Sequence, residues 1–455
     1  MIREVERSAN GTAATGVAGN GLIRIPPEID VPLTQRVSRL IDTSAIRRLG
    51  EISQLGLVHL VYPGAKHSRF EHSLGVYRNS LLLLQTLSDQ PRFSELVDAS
   101  GEEALVVASL VHDAGHWPFC HPIEDMRIAS VPRHESRLES LVSGSEIAAC
   151  LKNDWSCSSD DVMSVIAGKP FGETRLSGDA IALLGSCLSG PVDIDKLDYL
   201  VRDSVHAGVP YGRNFDASRL LASLTVHPER PKLAITEKGR TAAEMMVFGR
   251  YVMFSEVYWH HAVRSATAML QRMVFDLKSL IKISSTFDLD EAAWIAAMRD
   301  AAFDTDSQNL AEGLFGRTRQ LYKRVAEFNV LDRADLHREL AHRPYWWLVA
   351  CGNELAQQCS VLLGRQIHGN EILIDAPPVK LEVDINMDVV MRGGEVRTLA
   401  DVSPVTESLA HQQFDGHVKR VRIFVRASLR DAIAKLLQDD RLIQDAIETI
   451  NREVV

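Results

Sequence analysis

The sequence predicts a mainly α-helical protein, with a large helical core followed by a smaller C-terminal region of mixed helices and strands. Apolar residues recur at helical spacing in most segments from Leu33 to about Met273. After about residue 345 the pattern changes to short alternating or β-branched runs such as EILIDAPP and KRVRIFVR. The chain has 455 residues, 45% of them hydrophobic, which is enough for a sizeable core and roughly two or three domains.

These changes divide the chain into four predicted segments. Residues 1–20 are rich in glycine and alanine without apolar periodicity, so we expect a flexible N-terminal arm. Residues 21–275 are expected to form the helical core, and residues 276–345 a helical extension with weaker patterning. Residues 346–455 are expected to form the α+β C-terminal region.

Local signals place individual elements within these segments. Ser68 followed by Glu71 is a capping-box pattern, which predicts a helix start just before Phe70. A short strand pair is expected at Leu221–Val226 and Lys232–Thr236, separated by HPERP. The stretch SLRDAIAKLLQDDRLIQDAIETI predicts one closing amphipathic helix.

Composition limits the class of protein. A net charge of -10 with 24% charged residues gives no basic field, which disfavours broad attraction to nucleic acid or to anionic membranes. The six cysteines form no CxxC pair, so we expect reduced thiols rather than a disulfide framework or a zinc finger. The longest apolar run, LLLLQTL, is too short to cross a bilayer. The sequence therefore predicts a soluble cytoplasmic protein.

The stretch SLVHDAGHWPFCH carries the main chemical signal. His112 and Asp113 follow a buried apolar run, and His72 and Asp195 lie early in two other predicted helices. Singly, each has a simpler explanation as a core histidine or a helix N-terminal carboxylate. Two imidazoles and two carboxylates that converge from three helices would form a mixed nitrogen and oxygen site for a divalent first-row metal. Such a site favours hydrolysis, because a metal with open positions acidifies water.

Side chains suited to a phosphate ester surround this tetrad. His116, His121 and His134 are candidate acids and bases, because imidazole titrates near neutrality, and Glu124 or Glu135 would orient one of them. The cations Arg69, Lys196 and Arg250 suit a polyphosphate: Arg69 lies three residues before His72, and Lys196 is next to Asp195. Tyr199 and Asp203 follow Asp195 on roughly the same helical face, and Tyr258 lies eight residues after Arg250. Each of these arginines and lysines alone is equally well explained as a surface ion-pair residue.

The ordered contexts YPGAKHSRFEHSLGV, SLVHDAGHWPFCH, RHES and DIDKLDYLVRDSVHAGV resemble the HD-domain phosphohydrolase superfamily, and most closely its bacterial deoxynucleoside triphosphate triphosphohydrolases. The resemblance covers roughly residues 22–275, and SEVYWHHAVRS and ADVSPVTESLA extend it into the C-terminal part. It implies a helical HD core, hydrolysis of dNTPs at the α-phosphorus to deoxynucleoside and inorganic triphosphate, and a homo-oligomer such as a dimer or tetramer.

The resemblance also implies a role for each matching residue. The ligands of a divalent metal (Mg, Mn, Fe, Ni, Co or Zn) would be His72, His112, Asp113 and Asp195. The acid, base and orienting set would be His116, His121, Glu124, His134 and Glu135, with His121 as the acid near the leaving 5′ oxygen. The triphosphate would be held by Arg69, Lys196, Tyr199 and Arg250. The sugar would be surrounded by Gln54, Leu55, Asp203 and Tyr258, with Leu55 and Tyr258 leaving no room for a 2′-hydroxyl.

The sequence departs from the resemblance where relatives bind a guanine nucleotide activator between subunits. IPPEID replaces an Asp-Pro-x-His-Gly stretch, and of an Asp-x(7)-Arg pair only Asp42 remains, since Gly50 replaces the arginine. Arg47 and Arg48 lie nearby and would compensate. We therefore expect no standard guanine-specific site, and leave a nucleotide effector at an interface open.

Two other functions stay open on the sequence alone. Another HD-type hydrolase would act on a nucleoside monophosphate, a cyclic nucleotide or an alarmone, although such substrates need fewer cations than this chain supplies. A nucleotide sensor or single-stranded nucleic-acid binder is disfavoured by the acidic charge and by the absence of interleaved aromatic and basic residues.

Overall fold

The structure is a computed structural model that describes residues 21–377, 387–409 and 418–453. It confirms the predicted class, a mainly helical protein with small sheets and an α+β region toward the C-terminus. The predicted arm, residues 1–20, and part of the predicted strand region, residues 378–386, lie outside the described residues. Within the described ranges, no helix combines the length and the apolar character that a membrane span requires.

The helices of the first half form the scaffold of the candidate site. Their bounds are Gln35–Ile41, Ser44–Arg48, Arg69–Leu87, Pro91–Leu96, Ala99–Val111, Cys120–Asp125, His134–Val142, Ser145–Asp154, Ser159–Ala167, Gly178–Leu188, Ile194–Ala207 and Ala217–Ala222. The later helices are Arg240–Met253, His261–Leu277, Glu291–Ala302, Gln308–Phe315, Ala334–Leu340, Tyr345–Leu363, Leu399–Val402, Pro404–Ser408, Arg430–Leu436 and Arg441–Glu453.

Three small sheets accompany the helices. Strands β1 (Gly21–Ile25) and β2 (Ile29–Leu33) form an antiparallel hairpin. The second sheet has the order β3-β4-β7-β8, with bounds Leu224–Val226, Leu233–Thr236, Asp388–Val390 and Val396–Thr398, and β4 pairs with β7 in parallel. The third has the order β5-β9-β6, all antiparallel, with bounds Lys323–Phe328, Val421–Val425 and Ile372–Asp375.

The buried side chains form three hydrophobic clusters. The first contains Leu74 and Leu110 and packs the helices that carry the candidate metal ligands. The second contains Trp117 and Trp294, and the third is centred on the sheet β5-β9-β6. Val389 belongs to the first cluster although it lies far along the chain, because β7 joins the sheet of β3 and β4.

Several local predictions are confirmed. Ser68 caps the helix Arg69–Leu87 by accepting a hydrogen bond from the backbone N–H of Glu71. The strand pair β3 and β4 forms within its predicted bounds. How the chain divides into independently folding segments stays a prediction.

Two local predictions are wrong. The single closing helix is divided into Arg430–Leu436 and Arg441–Glu453, and the side chain of Asp439 accepts a hydrogen bond from the backbone N–H of Arg441 at the break. Strand β5 forms where helix was predicted, because its residues pair with the β-branched strand β9. Pairing over such a sequence distance leaves no local signal.

Candidate active site

Three of the four predicted metal ligands meet where three helices converge. His72 lies on the helix Arg69–Leu87, His112 follows the helix Ala99–Val111, and Asp195 lies in the first turn of the helix Ile194–Ala207. One nitrogen or oxygen from each lies within 4.8 Å of the others. Nε2 of His72 is 3.0 Å from Oδ1 of Asp195, and Nε2 of His112 is 3.8 Å from the same oxygen.

The fourth predicted ligand, Asp113, lies beside this group. Its Oδ1 is 3.5 Å from Nε2 of His112 and 3.3 Å from Nδ1 of His116, while its Oδ2 accepts a hydrogen bond of 2.8 Å from Arg69. Burial alone would raise the pKa of the Asp113 carboxyl, but the positive charge around it, above all the Arg69 guanidinium that donates to it, lowers that pKa well below its usual range. The carboxylate therefore stays ionised beside the other three.

Hydrogen bonds fix which ring nitrogen of each histidine faces the centre. Nδ1 of His112 lies 3.0 Å from the carbonyl of Ser109, and Nδ1 of His72 lies 2.8 Å from Oδ2 of Asp198. With these nitrogens donating, Nε2 of His112 presents a lone pair to the centre, and Nε2 of His72 would do so once a cation displaced its proton, as in metal-binding histidines. Nε2 of His112 is buried without a hydrogen-bond partner among the described residues. That orphaned nitrogen and the mixed donor set fit a divalent first-row metal.

A network of ion pairs lies behind His72. Asp198 accepts from His72 and pairs with Arg202 at 2.7 Å, Arg202 donates to Glu71 at 2.6 Å, and Glu71 lies 2.8 Å from His206. Sequence reasoning assigned no role in the site to Asp198, Arg202 or Glu71. The available signal was the position of Asp198, three residues after Asp195 on the same helix.

The charge of this network controls His72. Burial would lower the pKa of the His72 imidazole, but hydrogen bonds to Asp195 and Asp198 raise that pKa to about 10. Only neutral imidazole ligates a metal, so a divalent cation would displace the His72 proton on binding.

The predicted acid and base residues form a second cluster next to the first. Nε2 of His116 lies 3.3 Å from Nε2 of His121, and the ring of His134 lies 4.0 Å from the ring of His116. Glu124 accepts from Nδ1 of His134 at 3.0 Å. Glu135 is exposed, and its carboxylate lies 3.6 Å from the same Nδ1.

Electrostatics keep two of these histidines neutral. Loss of hydration and the nearby Arg69 guanidinium lower the pKa of the buried His116 well below its usual range, and the same causes lower the pKa of His121, whose side chain is more exposed. His134 adds to the effect on His121. In contrast, His134 lowers the pKa of the Glu124 carboxyl against the effect of burial. An anionic ligand would raise the pKa of both imidazoles, since it would offset the charge of Arg69.

A cavity opens beside His121 and brings together several predicted substrate residues. It is lined by Gln54, Leu55, Arg69 and Tyr258 in addition to His121. Oε1 of Gln54 and Nε of Arg69 are buried without a partner in the described part of the chain. These atoms are free to bind a ligand.

Asp203 and Tyr258 are tied together at the wall of this cavity. The Tyr258 hydroxyl donates to Oδ2 of Asp203 at 2.5 Å, and Oδ1 of Asp203 lies 2.9 Å from Nε2 of His67. Burial and the Asp203 charge raise the pKa of Tyr258 well above its usual value. The tyrosine is therefore a fixed hydrogen-bond donor at any physiological pH.

Of the remaining predicted phosphate-binding residues, Lys196 already forms an ion pair within the protein, whereas Arg250 keeps one nitrogen unpaired within the described part of the chain. The ammonium group of Lys196 pairs with Asp193 at 2.7 Å, and Asp193 also caps the helix that carries Asp195. Arg250 is buried, and its Nε has no partner among the residues described. Burial raises the pKa of Tyr199, while the charges of Arg250 and Lys196 lower it, which places both cations near this hydroxyl.

Comparison with known proteins places the chain among HD-domain relatives. Residues 215–444 match the family described as the HD associated region. An uncharacterized protein from Methanocaldococcus jannaschii is 30% identical over 386 residues, which are 84% of this chain and 74% of that protein. A deoxynucleoside triphosphate triphosphohydrolase from Xenopus laevis is 32% identical over 215 residues, but the match covers only 40% of this chain and 33% of that enzyme.

Solved structures share the fold over nearly the whole chain. A hypothetical protein from Aquifex aeolicus has a TM-score of 0.69 and 26% identity, and the match covers 92% of this chain and 100% of that one. A phosphohydrolase from Bacteroides thetaiotaomicron has a TM-score of 0.65 at 20% identity, covering 90% and 100%. The second likeness supports the fold alone.

Proposed function

The chain belongs to the HD-domain superfamily as a member of the HD-associated-region family, and from that premise we propose that it is a metal-dependent hydrolase of deoxynucleoside triphosphates. Water would attack the α-phosphorus, the bond from that phosphorus to the 5′ oxygen would break, and the products would be the deoxynucleoside and inorganic triphosphate. The similarity to a deoxynucleoside triphosphate triphosphohydrolase over its matched part supports this substrate class.

One observation carries the proposal: the convergence of His72, His112 and Asp195 beside three histidines and a cavity with unpaired polar atoms. His72, His112 and Asp195, with Asp113 beside them, would hold a divalent cation. When bound, the cation would supply Lewis acidity at the α-phosphorus and acidify the attacking water.

The chain's own residues would orient the substrate and move the proton. Arg69, with Nε unpaired, and Arg250 would neutralise the triphosphate, joined by Lys196 and Tyr199. Gln54 and Asp203 would bind the 3′-hydroxyl, while Leu55 and Tyr258 would pack against the sugar and exclude a 2′-hydroxyl. His121 would give its proton to the leaving 5′ oxygen once the bound phosphates had raised its pKa, and His116 and the Glu124-oriented His134 would complete the proton-transfer cluster.

The direct test is product analysis. Purified protein with Mg²⁺ or Mn²⁺ and each dNTP should release deoxynucleoside and triphosphate, and a chelator should abolish the release. Orthophosphate or pyrophosphate as the product would contradict attack at the α-phosphorus. A matched ribonucleoside triphosphate serves as the control, and we expect it to be a poor substrate.

Another HD-type phosphohydrolase is the second candidate, because the family premise holds equally for a nucleotidase or a phosphodiesterase. Lys196 pairs with Asp193, so part of the proposed cationic set is already neutralised within the chain. A panel of nucleoside monophosphates and cyclic nucleotides separates the two candidates. Faster turnover of any of them than of dNTPs would favour this second function.

Assembly, effector, location and metal identity also belong to the proposal. We expect a cytoplasmic homo-oligomer, and a nucleotide effector at an interface remains part of the hypothesis. Light scattering with and without dNTPs tests the oligomer. Metal analysis of protein purified without added metal tests which divalent ion it retains.

A further inference from the structure

One cysteine lies among the histidines assigned above to proton transfer. Cys120 is buried at the start of the helix Cys120–Asp125, and the proposed mechanism gives it no role. One nitrogen from each of the three histidines and the cysteine sulfur all lie within 4.8 Å of one another. Together these residues form the histidine-cysteine cluster: His116, Cys120, His121 and His134.

The spacing within the histidine-cysteine cluster matches a tetrahedral metal site. Nε2 of His116 lies 3.3 Å from Nε2 of His121. Two nitrogens bound to a zinc ion at about 2.0–2.1 Å with tetrahedral angles lie about 3.3 Å apart, and a sulfur ligand lies slightly farther from its neighbours. The two nitrogens are therefore already separated as two ligands of one zinc ion would be.

Hydrogen bonds behind two of the rings leave lone pairs for a cation. Nδ1 of His116 lies 3.2 Å from the backbone carbonyl of Asp113, and Nδ1 of His134 lies 3.0 Å from Oε2 of Glu124. With Nδ1 donating in each ring, a lone pair remains on Nε2. A carbonyl or carboxylate behind the imidazole is also the usual surrounding of a metal-binding histidine.

The sulfur decides which cation the cluster takes. Mg²⁺ prefers oxygen ligands, whereas imidazole and thiolate together suit Zn²⁺. Burial and the charge of Glu124 raise the pKa of the Cys120 thiol, so only a cation with high affinity for sulfur would displace its proton. Binding of Zn²⁺ would form a bond to the sulfur and release the thiol proton to solvent. The catalytic metal site at His72, His112 and Asp195 offers nitrogen and oxygen instead.

Two carboxylates offset the positive charge of Arg69 beside the cluster. Asp113 lies 3.3 Å from one ring of the cluster, and Glu124 lies 3.0 Å from another. Both carboxyl groups have a lowered pKa and are ionised. Together with a Cys120 thiolate they would supply as many negative charges as the guanidinium and a divalent cation carry positive ones.

We propose that the histidine-cysteine cluster is a second metal site that takes Zn²⁺, and that the bound ion inhibits the hydrolase. Four protein ligands would complete a tetrahedral zinc ion and leave no open position for water or substrate. The ion would also occupy the nitrogen of His121 that is proposed to give its proton to the leaving 5′ oxygen. The inhibition rests on the proposed function, whereas binding of the ion does not.

The first test measures dNTP hydrolysis with saturating Mn²⁺ and increasing buffered Zn²⁺. Cys120→Ser should keep the activity with Mn²⁺, because Cys120 has no part in the proposed mechanism. Its half-inhibitory Zn²⁺ concentration should rise about 100-fold, since the loss of one of four ligands removes about a quarter of the binding free energy of a zinc site. Cys150→Ser is the matched control and should be inhibited as the wild type is. Cys150 is half-exposed and belongs to no comparable group in the described part of the chain.

A different mode of inhibition would contradict the inference. Zn²⁺ that replaced Mn²⁺ at the catalytic metal site would inhibit Cys120→Ser as strongly as the wild type, and added Mn²⁺ would reverse it. Equal half-inhibitory concentrations in these two proteins, or no inhibition of the wild type, would overturn the inhibitory role and leave the proposed function standing.

Cobalt spectroscopy detects the second site without any activity. Co²⁺ occupies tetrahedral zinc sites, and a thiolate ligand gives it a charge-transfer absorption band in the near ultraviolet that nitrogen and oxygen ligands do not give. The wild type and Cys150→Ser should show this band, and Zn²⁺ should remove it. Cys120→Ser and Cys120→Ala should lack the band. His134→Ala, which changes a half-buried member of the cluster, should need about 100-fold more Co²⁺ to show it and serves if a Cys120 variant does not fold.

The spectra separate the metal site from the proposed function. If the band appears but no dNTP yields triphosphate, the proposed function fails and the second metal site stands. Absence of the band in the wild type, its persistence in Cys120→Ser, or unchanged Co²⁺ affinity in His134→Ala would overturn the second site, whether or not dNTPs are hydrolysed.

Discussion

The residues behind the proposed metal ligands and those lining the substrate side of the candidate site differ in how completely their polar groups are paired, while Nε2 of His112 faces the proposed metal without a partner among the described residues. Behind His72, hydrogen bonds run without a break through Asp198, Arg202 and Glu71. On the cavity side, Gln54 and Arg69 keep buried polar atoms without partners. Pairing fixes geometry before any ligand arrives, whereas unpaired groups gain energy only when a ligand binds. The difference indicates a preorganised metal-binding side next to a substrate-binding side whose polar groups become paired only when substrate binds.

The largest expected effect comes from removing a ligand on the metal side. Asp195→Asn should lower kcat/KM for the best dNTP by roughly a thousandfold or more, since a cation supplies several kcal/mol of transition-state stabilisation. Metal content after dialysis should fall with it. Asp179→Asn is the matched control, because Asp179 also lies in the first turn of a helix but is exposed. Full activity in Asp195→Asn would refute the proposed metal centre.

A smaller loss is expected on the substrate side, where a proton donor is replaced. His121→Gln should lower kcat by about 10²- to 10⁴-fold, the usual contribution of general acid catalysis, and leave metal affinity unchanged. Steady-state kinetics with a parallel metal titration would separate the two sides. If His121→Gln lost the catalytic metal together with activity, His121 would contribute to binding of that metal, and its assignment to the substrate side would be wrong.

A substitution at Gly75 would disrupt the ion-pair network behind His72. A methyl group there would overlap the carboxylate of Asp198 and the guanidinium of Arg202. Gly75→Ala should weaken metal binding by about 10- to 100-fold, as loss of an orienting partner does, and should lower the free energy of unfolding by about 1–3 kcal/mol. Metal titration and chemical denaturation measure the two effects.

The control for this substitution is Gly178→Ala. A methyl at Gly178, the first residue of the helix Gly178–Leu188, meets nothing within 4 Å. That variant should be as stable as the wild type or slightly more stable. Equal metal affinity in Gly75→Ala and Gly178→Ala would show that the network does not position His72.

The ion-pair network behind His72 is also the part of the site that the sequence predicted least well. The helical class could be predicted, because helical periodicity is a local signal. The convergence of His72, His112 and Asp195 could be predicted from the order of motifs that resemble the HD-domain superfamily, not from local spacing. The link from Arg202 to Glu71 could not, since it joins two helices 131 residues apart in the sequence. Such pairs depend on helix packing, which no local pattern encodes.

The same limit explains the errors outside the site. Strand β5 pairs with β9 about a hundred residues later, and β7 joins β4 in parallel across a still longer interval, so neither strand pairs with one that is near it in the sequence. The break before Arg441 depends on one side-chain hydrogen bond from Asp439, which amphipathic periodicity does not reveal. Asp193 shows the opposite case, because its contact with Lys196 lies within one helical turn.

The smallest effect is a pH dependence with opposite signs on the two sides, measured in metal-free protein. The pKa of His72 is raised to about 10, so its contribution to stability is present below the unfolded value near 6.5 and is lost as pH rises through 10. The pKa of His121 is lowered to about 4, so the unfolded chain binds more protons between pH 4 and 6.5, and stability rises with pH across that window. Denaturation midpoints from pH 4 to 10 should therefore rise and then fall. In His121→Gln the acidic rise should be shallower while the alkaline fall is unchanged. If His121→Gln instead changed only the loss of stability at alkaline pH, the protonation of His72 would depend on His121. The two sides would then not titrate independently.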